Sequence, residues 1–124
     1  MSDGQLTLSQ IALLTSYAVG MSGGQILFKL AALRYGVADG TAGERLFGLA
    51  HNAYFLAALA LYAALAILWV WILSFTPLSR AYPFVALAFA VTPLLGGMLF
   101  GEALSLRLLI GIALVLGGLL LVTG

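Results

Sequence analysis

Hydrophobic and polar positions divide this chain into four long apolar runs with short polar breaks between them. The runs cover about residues 11–33, 53–73, 81–100 and 104–122. Each approaches the roughly 20 residues that an α-helix needs to cross the hydrocarbon core of a bilayer. The pattern predicts an all-α membrane protein, a single domain folded as a bundle of four transmembrane helices. The breaks at 74–80 and 101–103 are short, which makes the second, third and fourth spans antiparallel neighbours. The linker 34–52 is the one sizeable polar region. It carries Gly36, Asp39, Gly40 and Gly43 and reads as a solvated loop; Glu44-Arg45-Leu46-Phe47 is where an interfacial turn of helix can form.

The first run is not uniformly apolar. Its middle reads Ser16-Tyr17-Ala18-Val19-Gly20-Met21-Ser22-Gly23-Gly24-Gln25. At about 100° per residue, Ser22, Gln25 and Lys29 share a face with Ala18. Unpaired polar groups in hydrocarbon are costly, so this face should meet protein or a water-filled cavity. Helix-packing glue is the alternative use of small and polar residues. The third run contains Pro83 and Pro93, each lacking a backbone donor and able to bend a helix. Freed carbonyls at membrane depth are tolerated against a cavity or another helix. Tyr17, Tyr62 and Tyr82 lie deep enough to line a cavity, while Tyr54, Trp69 and Trp71 suit the interfacial belt. Gly20 and Gly24 are four apart, as are Gly97 and Gly101, a spacing that fits close helix contact. Gly111 and Gly118 are seven apart on one face of the last span, the candidate interface with a second protomer.

Composition fixes the solvent. The chain is 64% hydrophobic and 7% charged, against about 25% charged in soluble domains. Its net charge of +1 gives no basic field for nucleic acid. There is no cysteine, and His51 is the single histidine. No metal site or cofactor is expected, and no constellation of catalytic groups is visible, so the chain does not read as an enzyme. The N-terminal stretch Met1 to Gln10 has Asp3 and no Lys or Arg, so no cleavable signal is expected. Lys29, Arg34, Arg45 and Arg107 lie toward one side and Arg80 toward the other, which predicts both termini outside. Lys29 is roughly 10 Å off the bilayer centre and can snorkel or hold an anionic group. Arg80 suits a lipid phosphate or an interfacial anchor. Arg107 reads as an anchor, with Ser105 as the N-cap of its helix. Glu102 reads as structural, holding the tight turn through Arg107 or backbone donors.

Taken in order, Thr76-Pro77-Leu78-Ser79-Arg80-Ala81-Tyr82-Pro83, then Phe100-Gly101-Glu102-Ala103-Leu104, then the Gly-rich stretch 109–118, resemble the small multidrug resistance family and the wider drug/metabolite transporter (EamA-like) superfamily. Gly24-Gln25-Ile26-Leu27-Phe28-Lys29 also looks like that superfamily's first helix. The resemblance implies a four-helix transporter working as a dimer. Two departures matter. Lining up Lys29 with the family's lysine puts Met21 where the drug exporters hold an essential glutamate, and Val85 stands where they hold a drug-stacking tryptophan. Tyr62 and Tyr82 match retained tyrosines. The Ala81-Tyr82-Pro83 variant, with Gln25 and Lys29 and no first-helix acid, looks closest to the branch of subunits of the aminoarabinose-phosphoundecaprenol flippase. That branch implies a bacterial inner membrane, a polyprenyl-phosphate-linked sugar as cargo, and a homodimer or a heterodimer with a paralogue.

On this reading a dimer forms a cavity from the first three spans of its protomers, and cargo binds there. Lys29 meets the phosphate, Gln25 and Ser22 hydrogen-bond the head, Tyr62 and Tyr82 bound the sugar, and Arg80 lies at the far side. Pro83, Pro93 and Glu102 are the structural or gating residues. The alternatives are an exporter of small polar or cationic metabolites and a non-transporting accessory subunit of a membrane glycosyltransferase system.

Overall fold

The computed structural model describes residues 6–35 and 40–123. Residues 1–5, with Asp3, and Gly36 and Asp39 of the linker lie outside the described residues. Among the described residues, six α-helices follow in order: α1 (Leu8–Tyr35), α2 (Ala42–Ala50), α3 (Ala53–Leu73), α4 (Leu78–Ala81), α5 (Val85–Phe100) and α6 (Leu106–Thr123). A 3₁₀ turn at Tyr82–Phe84 joins α4 to α5, so the three run as one span from Leu78 to Phe100. Four helical segments are therefore long and apolar enough to cross a membrane, as the hydropathy pattern predicts. Their outward faces are apolar too: Leu114 is 72% and Leu121 83% exposed. Such surfaces require lipid or protein as their solvent.

Local chemistry explains the boundaries. Thr7 and Gln10 cap α1 reciprocally: the Gln10 N–H donates to Thr7 Oγ1, and the Thr7 N–H to Gln10 Oε1. Gln10 Nε2 also donates to the Phe75 carbonyl and Thr76 Oγ1, pinning the start of α1 to the turn after α3. Ser105 Oγ accepts from the Leu108 N–H at the start of α6, the N-cap role its sequence position predicts. The linker corrects the solvated-loop expectation. Residues 42–50 form a helix opened by a capping box, in which Thr41 Oγ1 accepts from the Glu44 N–H and Glu44 Oε1 accepts from the Thr41 N–H.

Packing also differs from the expected order. The short turn after α3 fixes its direction, but α3 lies against α1 and barely touches α5. Helix α1 is the middle element, with α3 on one side and α5 on the other, and α6 packs on α5. Gly20 and Gly24 explain the α1–α3 contact. A Cβ on Gly20 would lie 2.9 Å from Leu65 Cδ2, and one on Gly24 would lie 2.5 Å from Tyr62 Cε2. A larger residue at Gly24 would drive into the Tyr62 ring, and one at Gly20 would push the Leu65 side chain aside. Gly97 and Gly101 do not form a second such pair: Gly101 adopts φ 66° and ends α5 as its left-handed cap. A hydrophobic core lies at the end holding the start of α1, where Leu14, Ile72, Ala81 and Phe84 are buried together.

Candidate functional site

A groove of about 320 Å³ runs between α1 and α5. Met21 and Gln25 of α1 line one wall; Val85, Ala88, Phe89, Thr92 and Pro93 of α5 line the other. Its wall is mostly apolar, with an amide at Gln25 and a hydroxyl at Thr92. Pro93 brings no N–H, so the carbonyl of Phe89 lacks its usual i+4 donor within this same wall. Neither α3 nor α6 contributes a lining residue. Within the protomer, this groove is therefore lined by two helices.

The polar face of α1 divides between its neighbours. Ser22 is fully buried and accepts a 2.9 Å hydrogen bond from Thr92 Oγ1 across to α5. Gln25 turns the other way, and its Nε2 donates to the Tyr62 hydroxyl at 2.8 Å. That hydroxyl in turn donates to the Met21 carbonyl at 3.0 Å. Tyr62 therefore does not line the groove. It pins α3 to α1, stacks on Phe28 with ring centroids 5.3 Å apart, and orients Gln25.

The charged candidates lie beyond the groove's ends. Lys29, one turn past Gln25, pairs with Glu102 at 3.2 Å; both side chains are about half exposed. This corrects the expectation that Glu102 holds its turn through Arg107, and it sets a carboxylate beside the amine. At the other end Arg80 Nη1 donates to the Val122 carbonyl at 2.9 Å, close to the C-terminus of α6. A cation there also complements the helix dipole. Tyr82 is exposed and meets Trp69 edge-on, while Trp69 stacks on Tyr17 at 4.7 Å. Pro83 lies in the 3₁₀ turn and Pro93 inside α5. Nothing lies within 4 Å of a Cβ built on Gly111 or Gly118, so that face of α6 is open within the protomer.

The structure thus places Gln25 and Pro93 in the groove wall, Ser22 buried behind Thr92, and Lys29 and Glu102 just past the groove. Tyr82 and Arg80 are left at the opposite end, and Tyr62 behind α1. Sequence reasoning missed Thr92, although it is the sole polar residue between Phe84 and Leu95. Its isolation in an apolar run, next to a proline, was the available signal.

No protein-family model, curated protein or solved structure matches the chain. What the fold defines is the class: a four-helix, multi-pass membrane protein.

Proposed function

We propose that this chain is one protomer of a membrane transporter that moves a lipid-linked anion, with a polyprenyl-phosphate-linked sugar as the cargo class and the α1–α5 groove as its path. The carrying observation is the groove itself. Gln25 and Thr92 line it at membrane depth, each with one hydrogen bond to another helix (to Tyr62 and Ser22) and acceptor or donor capacity to spare, and an ammonium stands one turn beyond. Polar side chains retained at membrane depth beside a groove mark substrate pathways. Because only two helices line the groove, an isoprenoid tail can stay in lipid while its head engages Gln25 and Lys29. The resemblance to the transporter superfamily supports the same location: Met21 and Val85, the positions of the exporters' acid and tryptophan, both line the groove. Both are apolar here, which disfavours a cationic cargo.

Lys29→Ala is expected to weaken binding of undecaprenyl phosphate to the reconstituted protein by about 10–100-fold, the worth of one charge-assisted hydrogen bond. Lys29→Arg should retain most of it. Undiminished binding and flipping in Lys29→Ala would remove the lysine from the mechanism. A second reading, proton-coupled export of small polar or cationic compounds, is favoured by one observation: Glu102 is an acid near the groove. Proton release on addition of a cationic substrate, abolished in Glu102→Gln, would support it.

Lys29, Arg34, Arg45 and Arg107 all fall at the end of the bundle that holds the linker and the 101–105 turn, with Arg80 opposite. The positive-inside rule puts that end in the cytoplasm and the termini outside a bacterial inner membrane. The open face of α6 fits a pairing with a second protomer or a paralogue. A cysteine replacing Gly118 should then cross-link two chains in membranes, whereas one replacing Leu56, on the exposed face of α3, should not. Equal cross-linking at both positions would count against an α6 interface.

A further inference from the structure

Glu102 sits in a built seat. The left-handed Gly101 turns the chain sharply out of α5, and Glu102 lies in the irregular stretch before α6. Its carboxylate folds back over the buried Gly96: a Cβ there would lie 2.7 Å from Glu102 Oε1. The other oxygen, Oε2, meets Lys29 Nζ at 3.2 Å. Gly96 lies four residues past Thr92, and Lys29 four past Gln25, so on both walls the pair stands one helical turn beyond the groove. Helices α1 and α5 are thus tied by Ser22–Thr92 beside the groove and by Lys29–Glu102 across its end. The second tie differs from the first. Ser22 is fully buried, whereas both members of the ion pair are about half exposed. Half-exposed pairs contribute little to stability and exchange partners readily.

We infer that Glu102 is a releasable clasp: its carboxylate holds Lys29 while no cargo is bound, closing the end of the groove, and an arriving phosphate takes its place on the lysine. The exchange rests on the anionic-cargo reading above; the clasp does not. Phosphate and carboxylate offer the same kind of acceptor to an ammonium, and a phosphate carries more charge. Displacement frees the 101–105 turn to move away from α1. The amine then keeps an anionic partner through the cycle, a carboxylate in one state and a phosphate in the other.

The chain has no cysteine, so spin labels can be placed at will. Labels on cysteines replacing Ala32 and Ala103, both exposed and neighbouring the pair, report the distance between α1 and the turn. In vesicles free of polyprenyl lipids, the parent protein should give a narrow distribution. Glu102→Gln should add a longer-distance population. So should Gly96→Ala, which leaves both charges in place and removes only the seat. The exchanged pair Lys29→Glu with Glu102→Lys should restore the narrow distribution. Identical distributions in the parent, Glu102→Gln and Gly96→Ala would overturn the clasp while leaving the transport reading intact. Undecaprenyl phosphate should shift the parent toward the longer population, and undecaprenol, lacking the phosphate, should not. If the variants open and undecaprenyl phosphate binds the parent through Lys29 without shifting its distribution, the anion exchange fails and the cargo reading stands; if the lipid does not bind at all, the cargo reading fails and the clasp stands.

Discussion

Gly24→Ala is expected to be the most damaging small substitution in the chain, lowering stability by about 2–3 kcal/mol. The added Cβ would stand 2.5 Å from Tyr62 Cε2 and 2.7 Å from Cζ. Overpacking of this kind typically costs about 1–3 kcal/mol when the neighbour cannot move aside. Tyr62 cannot move freely. Its ring stacks on Phe28, and its hydroxyl is held between the Met21 carbonyl and the Gln25 amide. Swinging the ring away breaks both hydrogen bonds, each worth on average about 0.6 kcal/mol between membrane helices. The same displacement releases Gln25 from its orientation in the groove wall, so headgroup binding should fall along with stability. Gly117→Ala is the control. Nothing lies within 4 Å of its Cβ, so the change should be neutral or stabilising through helix propensity. Denaturation in detergent separates the two. Combining Gly24→Ala with Tyr62→Leu should recover part of the loss, because residues in contact do not add independently. A Gly24→Ala variant as stable as the parent would mean that α1 and α3 are not in this close contact.

That contact shows where sequence reading succeeds in a membrane protein and where it stops. The four spans were legible because lipid imposes an uninterrupted apolar run of fixed length on any helix that crosses it. The small residues of α1 were legible for a related reason, since close approach of helices leaves few residue types acceptable at the contact. Which helix makes the approach was not legible. A short connection between α3 and α4 fixes direction and leaves the packing face free, so α3 settled on the glycine face of α1 instead of on α5. Side-chain roles depended on that choice. Tyr62 has the depth of a cavity residue, yet the seat left by Gly24 draws it behind α1. Glu102 has Arg107 as its nearest cation in sequence on its own side of the turn, but its partner comes from 73 positions away, an arrangement made only when α5 docks on α1. The α2 helix was a different kind of miss. Thr41 and Glu44 carry the capping-box spacing, and Leu46, Phe47 and Leu49 give it an apolar side. The glycines around them weighed toward a loop. In the groove, Gln25 was found because an amide in an apolar helix demands an explanation, and Thr92 demanded the same one.

Asn52 carries the second large expected effect, because one side chain makes three hydrogen bonds. Its Oδ1 accepts from the Tyr54 and Phe55 N–H groups, capping α3, and its Nδ2 donates to the Ala31 carbonyl of α1 at 2.9 Å. Asn52→Ala should lower stability by about 1.5–2 kcal/mol, near 1 for the cap and the remainder for the tie between helices. Two further substitutions divide that sum. Asn52→Ser keeps a capping oxygen but is too short to reach Ala31, so it should cost only the interhelical part. Asn52→Asp keeps the cap and adds a charge that suits a helix N-terminus. It also replaces the donor with an oxygen aimed at the Ala31 carbonyl, and it should therefore be at least as costly as serine. Equal losses for serine and alanine would mean that the cap contributes nothing and the tie everything. No loss in any variant would mean that the contact is not made. Ala31 lies two residues past Lys29, so the tie anchors the same turn of α1 that carries the lysine. Asn52→Ala should therefore weaken the Lys29–Glu102 pairing as well as the fold, whereas Gly24→Ala acts on the groove through Gln25. The two variants therefore act on neighbouring turns of α1, one through Gln25 and the other through Lys29.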